Sequence, residues 1–382
     1  MNELAWYFLK LGSLGFGGPA ALVGYMRRDL VENRKLIDES TYNLSIALAQ
    51  IMPGPLAAQT AMAIGFFKGG IAGATVVGLA FVVPSFLMVL ALSALYVAFG
   101  GMPWMQSVFY GIGAVIIAII AVAAYRLARG TNKRDPLMWS VFTVMLVATA
   151  WTGTELAALF LVAGLVVLFA RAWPGARQAG LLAVAGISVV ALILVLERAL
   201  STSTASGDQH VLLQVLLFFT KAGSFVFGSG LAIVPFLQQG VVHDLRWLTE
   251  HQFLDAVAVA LITPGPVVIT VAFIGYLVAG VAGASLAAIG IFLPVYFFTI
   301  VPAPWFRRHK DNPQLRAFAA GATAAASGAI TGAVVVLGRG AISDLPTAFI
   351  ALTGLALLVR FRVPEQLLVL GAGLAGLALS TQ

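Results

Sequence analysis

The distribution of apolar residues constrains this chain more than any other feature of its sequence. Hydrophobic residues make up 60% of the 382 residues and occur in long blocks along the whole length, whereas charged residues make up only 10%. Soluble domains are about 45–50% apolar and about 25% charged. About 20 apolar residues cross the hydrocarbon core as a helix, whereas a β-barrel shows short alternating segments. The sequence therefore predicts an all-α polytopic membrane protein.

The sequence contains thirteen apolar segments, each a candidate membrane-spanning helix. The fifth, sixth, twelfth and thirteenth are short enough to be tilted hairpins that cross poorly. In chain order the segments cover residues 4–25, 43–64, 71–98, 105–128, 137–151, 155–171, 178–199, 212–236, 253–274, 279–301, 315–338, 345–360 and 363–380. The N-terminal stretch carries Glu3 and lacks a basic region, so we expect no cleaved signal peptide.

The basic residues predict that the N-terminus faces the cytoplasm, where Lys and Arg accumulate in short loops. If all thirteen segments cross, the basic residues on the inner side are Arg126, Arg129, Lys133, Arg134, Arg171, Arg177, Arg307, Arg308, Lys310, Arg316, Arg360 and Arg362. The exception is the loop at 26–42, which falls outside although it carries Arg27, Arg28, Arg34 and Lys35. Topology explains the net charge of +7, so the expected surroundings are a lipid bilayer and no nucleic acid.

An internal repeat relates the two halves of the chain. A shift of 211 residues, or 210 after one deletion, aligns the same charged residues and Pro-Gly-Pro motifs in one frame. The aligned sets are Lys10 with Lys221, Glu39 with Glu250, Pro53–Gly54–Pro55 with Pro264–Gly265–Pro266, and Pro84 with Pro294. Chance produces matched glycines in membrane helices, but it does not produce this combination. We therefore predict an ancient duplication.

The repeat predicts the domain organisation. We expect a first repeat at residues 1–175, a linker transmembrane helix at 176–205 and a second repeat at 206–382. Each repeat has six apolar segments and the linker adds one, so the second repeat enters the membrane from the opposite side. Inverted repeats with broken helices are typical of secondary transporters, which bind substrate at the repeat interface.

Gly and Pro interrupt the apolar segments at equivalent places. The stretch GFGGPAALVGYM at 15–26 corresponds to VFGSGLAIVPFL at 226–237. A broken helix exposes a positively polarised N-terminal end, which attracts oxyanions. We expect two symmetry-related half-sites for one anion, whereas the alternative is that these residues only permit close helix packing. The candidate binding residues are Phe16, Gly17, Gly18, Phe227, Gly228 and Gly230, then Pro53, Gly54, Pro55, Pro264, Gly265 and Pro266, with Gln59, Thr263 and Thr270 as polar contacts.

Lys10 and Lys221 lie inside apolar segments, a few residues before the Phe-Gly motifs. An intramembrane lysine costs several kcal/mol unless it is paired or hydrated. Two such lysines balance the charge of a dianion, so we expect both to contact the substrate. The alternative is that each side chain extends to its nearest membrane interface.

Four other charged residues are candidates for gating or coupling. Glu39 and Glu250 precede the second segment of each repeat, where each fits either a helix-start cap or a gate salt bridge. Arg27 fits an entrance rim or a solvated loop. Asp255, like Glu155, lies close to a segment start and is among the carboxylates nearest to a span interior, so a proton could pass through it.

Together these motifs resemble the chromate ion transporter family, of the long-chain two-domain type. The likeness rests on GFGGPAA, QIMPGPLAAQTAMAIG, FVVPSF and LSALYVAFG, and on FGSGLAIVPFL and ITPGPVVITVAFIGY in the second half. It is strongest over residues 5–130 and 215–300. The resemblance implies export of chromate, a tetrahedral dianion, across the bacterial cytoplasmic (inner) membrane. Leu22 and Leu56 replace a histidine and an acidic or polar residue that members often carry, which leaves sulfate or another anion as the alternative. A homodimer is one possible assembly state.

Two other function classes fit the sequence less well. A membrane-embedded enzyme needs an intramembrane metal set or a nucleophile with a base. The four histidines lie in polar connections and cysteine is absent, so we expect no metal, cofactor or disulfide. An anion channel is harder to separate from a carrier, but the inverted repeat favours alternating access. Membrane potential or a proton gradient is the expected driving force.

Overall fold

The computed structural model describes residues 1–16, 18–99, 103–152, 157–173, 208–224, 230–309, 312–342, 344–361 and 363–380, and these residues are all-helical apart from turns. The helices of the first half are α1 (Asn2–Leu14), α2 (Gly18–Met26) with π-helical turns at Arg27–Asn33, α3 (Glu39–Ile51), α4 (Leu56–Phe99), α5 (Pro103–Asn132), α6 (Pro136–Thr152) and α7 (Ala157–Arg171). The predicted linker helix at 176–205 lies outside the described residues.

The second half follows the same order. Its helices are α8 (Asp208–Ser224), α9 (Val234–Gln238) between a 3₁₀ turn at Gly230–Ile233 and π-helical turns at Gln239–Asp244, α10 (Glu250–Ile262), a 3₁₀ turn at Val267–Ile269, α11 (Thr270–Ile300), α12 (Ala303–His309), α13 (Pro313–Ala341), α14 (Leu345–Ala356) with π-helical turns at Leu357–Phe361, and α15 (Glu365–Ser380). Four stretches of the described chain are long and apolar enough to cross a membrane, namely Leu56–Phe99, Trp104–Asn132, Val267–Ile300 and Pro313–Arg339. The chain is therefore a polytopic helical membrane protein, with several shorter apolar helices beside these four.

Unusual local features recur in both halves at the offset seen in the sequence. The π-helical turns at Arg27–Asn33 and Gln239–Asp244 are each followed by a left-handed residue, Lys35 with φ 52° and Arg246 with φ 53°. Such conformations are uncommon outside glycine. Their recurrence at matching positions means that the two halves share backbone geometry as well as sequence motifs.

The long helices α4 and α11 also break at matching positions. In α4 the backbone leaves helical geometry at Gly69 and Gly70, with φ values of −142° and 62°. In α11 it does so at Ala279 and Gly280, with φ values of −148° and 59°. Each long helix is therefore two helices joined at a sharp turn, and α4 divides into residues 56–68 and 71–99.

The first Gly-rich stretch reverses the direction of the chain. α1 ends at Gly15, and α2 with its π-helical turns runs back beside α1. Arg34 Cζ consequently lies 5.6 Å from the centroid of the Tyr7 ring, and Leu36 lines a cavity together with Met1. The 13 residues of α1 span about 20 Å, less than the roughly 30 Å of a hydrocarbon core. We call residues 2–33 the first Gly hairpin.

The first Pro-Gly-Pro reverses the chain a second time. α3 and residues 56–68 pack side by side, and Leu48 and Ala63 belong to one buried apolar cluster that also contacts Phe67. This second hairpin ends near the start of the first Gly hairpin, because a Cβ on Gly69 would lie 3.1 Å from Met1 Sδ. We call residues 39–68 the first Pro hairpin. Both hairpins open toward the same end of the protein.

These hairpins differ from the expectation that residues 4–25 and 43–64 each form one crossing. Gly15 leaves helical geometry with φ −81° and ψ 101°, and the prolines of Pro53–Gly54–Pro55 lack the N–H that would continue a helix. The helix therefore stops in mid-segment and the chain turns back. In the second half, α10 and residues 267–278 flank the second Pro-Gly-Pro in the same way, and we call residues 250–278 the second Pro hairpin.

The later helices of one half pack against those of the other. α13 packs on α6 and α7, and α15 packs on α5. Small residues permit the closest approaches, since a Cβ on Gly111 would lie 2.0 Å from the Ala372 carbonyl oxygen and one on Gly376 would lie 2.1 Å from that of Ser107. Such small-residue contacts are typical of membrane helix bundles. They hold the two halves together around the hairpins.

Candidate functional site

The tip of the second Pro hairpin contacts the tip of the first Gly hairpin. The Gly265 N–H donates a hydrogen bond to the Gly15 carbonyl at 2.9 Å. Beside it, the Ser85 hydroxyl on α4 donates to the Gly12 carbonyl at 3.1 Å. The first bond joins broken segments from the two halves of the chain, and the second holds α4 against α1 within the first half. We call this contact the tip junction.

Position 265 requires glycine at the tip junction. Its φ of +96° is disfavoured for residues with a side chain. A Cβ at this position would lie 1.9 Å from Ser85 Oγ and 3.3 Å from the Gly12 carbonyl oxygen. The junction is therefore a direct approach of one backbone to another.

Gln59 closes the turn of the first Pro-Gly-Pro. Its side chain is 1% exposed, and its Nε2 donates to the Pro53 carbonyl at 2.7 Å. A Cβ on Gly54, whose φ is +147°, would lie 2.4 Å from Gln59 Cδ. Gln59 Oε1 has no hydrogen-bond partner within the described part of the chain. Because buried acceptors are rarely left unpaired, this oxygen marks a place where a water or another donor fits.

Thr263 and Thr270, expected as polar contacts, bond to their own surroundings. The Thr263 hydroxyl donates to the Val259 carbonyl at 3.0 Å, and the Thr270 hydroxyl donates to the Val267 carbonyl at 2.7 Å. Such local bonds use the donor that each hydroxyl has. Contact with an anion would therefore require each hydroxyl to rotate away from its carbonyl partner.

The Gly-rich candidates lie at the hairpin tips. Phe16 is 39% exposed at the tip of the first Gly hairpin, and Gly18 begins α2. Gly230 begins a 3₁₀ turn, where a Cβ would lie 3.1 Å from Val268 Cγ2. Pro264 and Pro266 flank Gly265 at the tip junction. The candidates Gly17, Phe227 and Gly228 lie outside the described residues.

Lys10 lies inside the first Gly hairpin. It lines a cavity of about 200 Å³ together with Gly15, Arg28 and Arg34, and its side chain is exposed. Lys221 has different surroundings at the equivalent place, where its Nζ lies 5.7 Å from the centroid of the Phe236 ring. The two lysines thus align in the sequence but lie in different environments.

Glu39 and Glu250 each begin a helix, but the capping side chains belong to the residues before them. Asp38 accepts a hydrogen bond from the Thr41 N–H at 2.9 Å, and Thr249 caps α10 in the same way. The hydrogen bond from the Thr41 hydroxyl is the main reason that the pKa of Asp38 lies well below its usual range. The side chains that cap the two helices thus lie one residue before the two glutamates.

Arg27 and Glu39 form a salt bridge, and its role as a gate stays a prediction. Arg27 Nη2 lies 2.8 Å from Glu39 Oε1, and the two side chains are 52% and 59% exposed. An exposed pair of this kind contributes about 0–1 kcal/mol. It links the end of the first Gly hairpin to the start of the first Pro hairpin without locking them.

Asp255 is a buried carboxylate between the two halves. It is 8% exposed on α10, and the Tyr96 hydroxyl of α4 donates to its Oδ2 at 2.7 Å. The Tyr96 ring packs edge-on against Phe273 with centroids 5.0 Å apart. This pair connects a helix of the first half to the second Pro hairpin.

Tyr96, Ser85 and Arg34 are site residues that the sequence alone did not predict. The sequence contained one indication of Arg34, because the loop at 26–42 was the exception to the predicted cytoplasmic placement of basic residues. It contained none of Tyr96 and Ser85, since their partners lie 159 and 73 residues away in the chain. Among the described residues, no group of three or more His, Asp or Glu side chains is placed to hold a metal ion.

Comparison with known proteins identifies the family. The chromate transporter family model matches residues 2–170 and 213–377. The chromate transport protein of Cupriavidus metallidurans is 53% identical over 378 residues, which cover 99% of this chain and 92% of that protein. The probable chromate transport protein of Synechococcus elongatus is 50% identical over 379 residues, covering 98% and 95%.

A more distant relative agrees with these two. The chromate transport protein of Pseudomonas aeruginosa is 32% identical over 382 residues, covering 97% of this chain and 90% of that protein. No solved structure matches the chain. The chain therefore belongs to the chromate transporter family, whose members are membrane transporters rather than enzymes.

Proposed function

We propose that this chain exports chromate, or a similar tetrahedral oxyanion, across the bacterial cytoplasmic membrane by alternating access. Relatives named chromate transport proteins, at 53% and 50% identity, support chromate as the substrate. The observation that carries the mechanism is the bond from Gly265 to Gly15, which brings a broken segment of each half to one place. Sulfate is the alternative substrate.

The proposed topology is a pair of inverted repeats at 1–175 and 206–382, joined by a crossing helix within 176–205. In each half two hairpins enter and leave on one face, and four later segments cross. Four crossings and one linker crossing then put the hairpins of the two halves on opposite faces. With a cytoplasmic N-terminus, the basic loop at 26–42 lies inside, which removes the exception found for thirteen crossings.

The proposed substrate site is the region around the hairpin tips. A hairpin about 20 Å deep ends near the middle of the bilayer, where transporters with inverted repeats bind substrate. α2 begins at Gly18 and α4 at Leu56, so free N–H groups and positive helix ends point into this region. The proposed contacts are Lys10, Phe16, Gly17, Gly18, Pro53, Gly54, Pro55, Gln59, Lys221, Phe227, Gly228, Gly230, Thr263, Pro264, Gly265 and Pro266.

Membrane potential suffices to drive export of a dianion. Moving two negative charges outward through about 100 mV, negative inside, releases about 4.6 kcal/mol. That energy corresponds to a gradient of about a thousandfold or more. A proton gradient is the other candidate, and Asp255 is the group proposed to carry the coupled proton.

The proposed moving parts are the hairpins. The Tyr96–Asp255 bond and the Arg27–Glu39 pair would break and reform as the hairpins shift, and the Pro-Gly-Pro turns would act as hinges. Glu250, in the first turn of the equivalent helix, is assigned to the gate on the opposite face. An anion channel would need none of these movements.

Chromate flux in proteoliposomes tests this proposal. A potassium diffusion potential of either sign is imposed, and entry of radiolabelled chromate is followed against protein-free liposomes. We expect saturable flux toward the positive side that reverses with the sign of the potential. Flux that does not respond to the potential contradicts electrogenic export, and currents that do not saturate favour a channel.

A further inference from the structure

The open end of the first Gly hairpin, at residues 27–35, shares one backbone conformation with the equivalent end of the second half, at residues 238–246. The Arg34 N–H donates to the Asp29 carbonyl at 2.9 Å, and at the 211-residue offset the Leu245 N–H donates to the Gly240 carbonyl at 2.8 Å. Because the backbones agree, differences between the two ends come from side chains alone.

The side chains on this shared backbone differ in charge. The first half carries Tyr7, Lys10, Tyr25, Arg28, Asp29 and Arg34, whereas the second half carries Phe218, Lys221, Phe236, Gln239, Gly240 and Leu245. Of these six positions, only the lysine is charged in both halves. At these six positions the first end is thus polar and the second is largely apolar.

Aromatic rings fill the second end. Phe218 stacks on Phe236 with centroids 5.7 Å apart, and it meets Trp247 edge-on at 5.7 Å. A Cβ on Gly240 would lie 2.1 Å from Phe218 Cε2, so this ring occupies the space where Asp29 stands in the first half. The ring of Phe236 lies beneath Lys221, whose Nζ is 5.7 Å from the ring centroid.

The first end is open and cationic. Arg28 Cζ lies 5.3 Å from the Tyr25 ring centroid, and Arg34 Cζ lies 5.6 Å from that of Tyr7. A guanidinium stacked on a ring directs its in-plane N–H donors away from the ring, and those donors match an oxyanion in bidentate geometry. Arg28 Nε already donates to Asp29 Oδ1 at 3.3 Å, so its Nη groups are the donors available to an anion. Within the described residues, Lys10 has no carboxylate at salt-bridge distance.

The charge and size of this cavity suit a dianion. Lys10, Arg28 and Arg34 contribute three positive charges and Asp29 one negative charge, which leaves two positive charges (3 − 1). A water molecule takes about 30 Å³ of liquid, so the cavity of about 200 Å³ has room for a small oxyanion with several waters. Gly15 lines the same cavity, which therefore reaches the tip junction.

We propose that this cavity is a dianion-loading site, present in the first half and replaced by aromatic rings at the equivalent described positions of the second. The inference rests on the proposed function and deepens it. If the hairpins of the two halves open on opposite faces, only one face has the site. The asymmetry does not drive net transport, but it lowers the anion concentration needed for half-saturation from the face where the first Gly hairpin opens.

The test compares Lys10→Met with Lys221→Met, a matched pair at equivalent positions. Equilibrium binding of radiolabelled chromate to the purified full chain in detergent is the first readout, and half-saturation of flux from each face of oriented vesicles is the second. Loss of a charged hydrogen bond should weaken chromate binding by about tenfold to a hundredfold in Lys10→Met. Lys221→Met should weaken chromate binding less than Lys10→Met does, because Gln239 and Leu245 stand at the positions equivalent to Arg28 and Arg34. Lys10→Arg should retain most of the affinity.

Arg34→Leu provides a second variant, because Leu is the residue at the equivalent position of the second half. Its side chain is exposed, so it should fold even if Lys10→Met does not, and it should weaken binding similarly. Equal weakening by Lys10→Met and Lys221→Met, or no weakening by Lys10→Met and Arg34→Leu, overturns the loading site. So does a wild-type chain that binds neither chromate nor sulfate.

The outcomes separate this inference from the proposed function. If the variants bind and transport chromate as the wild type does, the loading site is wrong and the export proposal stands. If the wild type binds chromate through Lys10 but shows no saturable flux, the loading site stands and the export proposal fails.

Discussion

Replacement of Gly265 by alanine should disrupt the tip junction. A side chain at the left-handed φ of +96° costs about 1–3 kcal/mol. The new Cβ would lie 1.9 Å from Ser85 Oγ, so that hydroxyl must rotate and leave the Gly12 carbonyl unpaired, which costs about 1–3 kcal/mol more. The expected loss in the free energy of unfolding is therefore about 2–6 kcal/mol.

Gly280→Ala is the matched control. Gly280 also has a positive φ, +59°, but a Cβ there would have nothing within 4 Å. This variant should lose only the conformational part, about 1–3 kcal/mol. Adding Ser85→Gly to Gly265→Ala should recover the part of the loss that comes from the clash.

Thermal unfolding of the purified variants in detergent, followed by tryptophan fluorescence, measures these differences. Chromate counterflow in proteoliposomes measures the effect on transport, which should fall in Gly265→Ala and persist in Gly280→Ala. If Gly265→Ala matches Gly280→Ala in both stability and flux, the reasoning about the tip junction is refuted.

Three other changes give distinct expected outcomes. Asp255→Asn should remove the pH dependence of chromate flux while its amide oxygen still accepts from Tyr96, and pH dependence that persists in proteoliposomes would rule out Asp255 as the proton carrier. Asp38→Ala should lower the free energy of unfolding by about 1 kcal/mol through the lost helix cap. Because the pKa of Asp38 is lowered on folding, its contribution is present above about pH 3.9 and is lost as the pH falls through the folded value, so a thermal-unfolding difference that is the same at neutral and acidic pH would contradict this account. Pro53→Ala and Pro264→Ala should lower the counterflow rate more than they change half-saturation, and unchanged rates in both would remove the hinge proposal.

The sequence predicted the helical class, the family and the positions of the breaks, because each depends on composition or on local residue chemistry. The Pro-Gly-Pro motifs and the Gly-rich stretches end helices wherever they occur. Gly265 and Gly15 were both singled out as members of such motifs. The sequence predicted two half-sites that face one anion. It did not predict that Gly265 and Gly15 contact each other directly.

The reversal of the chain at those breaks could not be read from hydropathy. A segment such as residues 43–64 is apolar enough to cross whether or not it turns back at Pro53–Gly54–Pro55. Whether such a segment turns back depends on tertiary packing, such as the close approach of Gly69 to Met1. The basic loop at 26–42 was the one sequence signal of hairpins, because it conflicted with thirteen crossings.

The different environments of Lys10 and Lys221 were also hidden in the sequence. Repeat alignment pairs the two lysines and suggests equal roles. Their difference depends on residues 15–24 positions away in the chain that the hairpin brings alongside, such as Arg34 beside Lys10 and Phe236 beneath Lys221. Only the folded hairpin shows which side chains share one cavity.

The central claim is that this chain is an oxyanion carrier, and counterflow tests it most directly. Proteoliposomes loaded with unlabelled chromate are diluted into a trace of radiolabelled chromate, with sulfate as competitor. The account predicts transient, saturable accumulation of label that depends on internal chromate. Absence of counterflow with both chromate and sulfate, in protein that unfolds cooperatively, would contradict it.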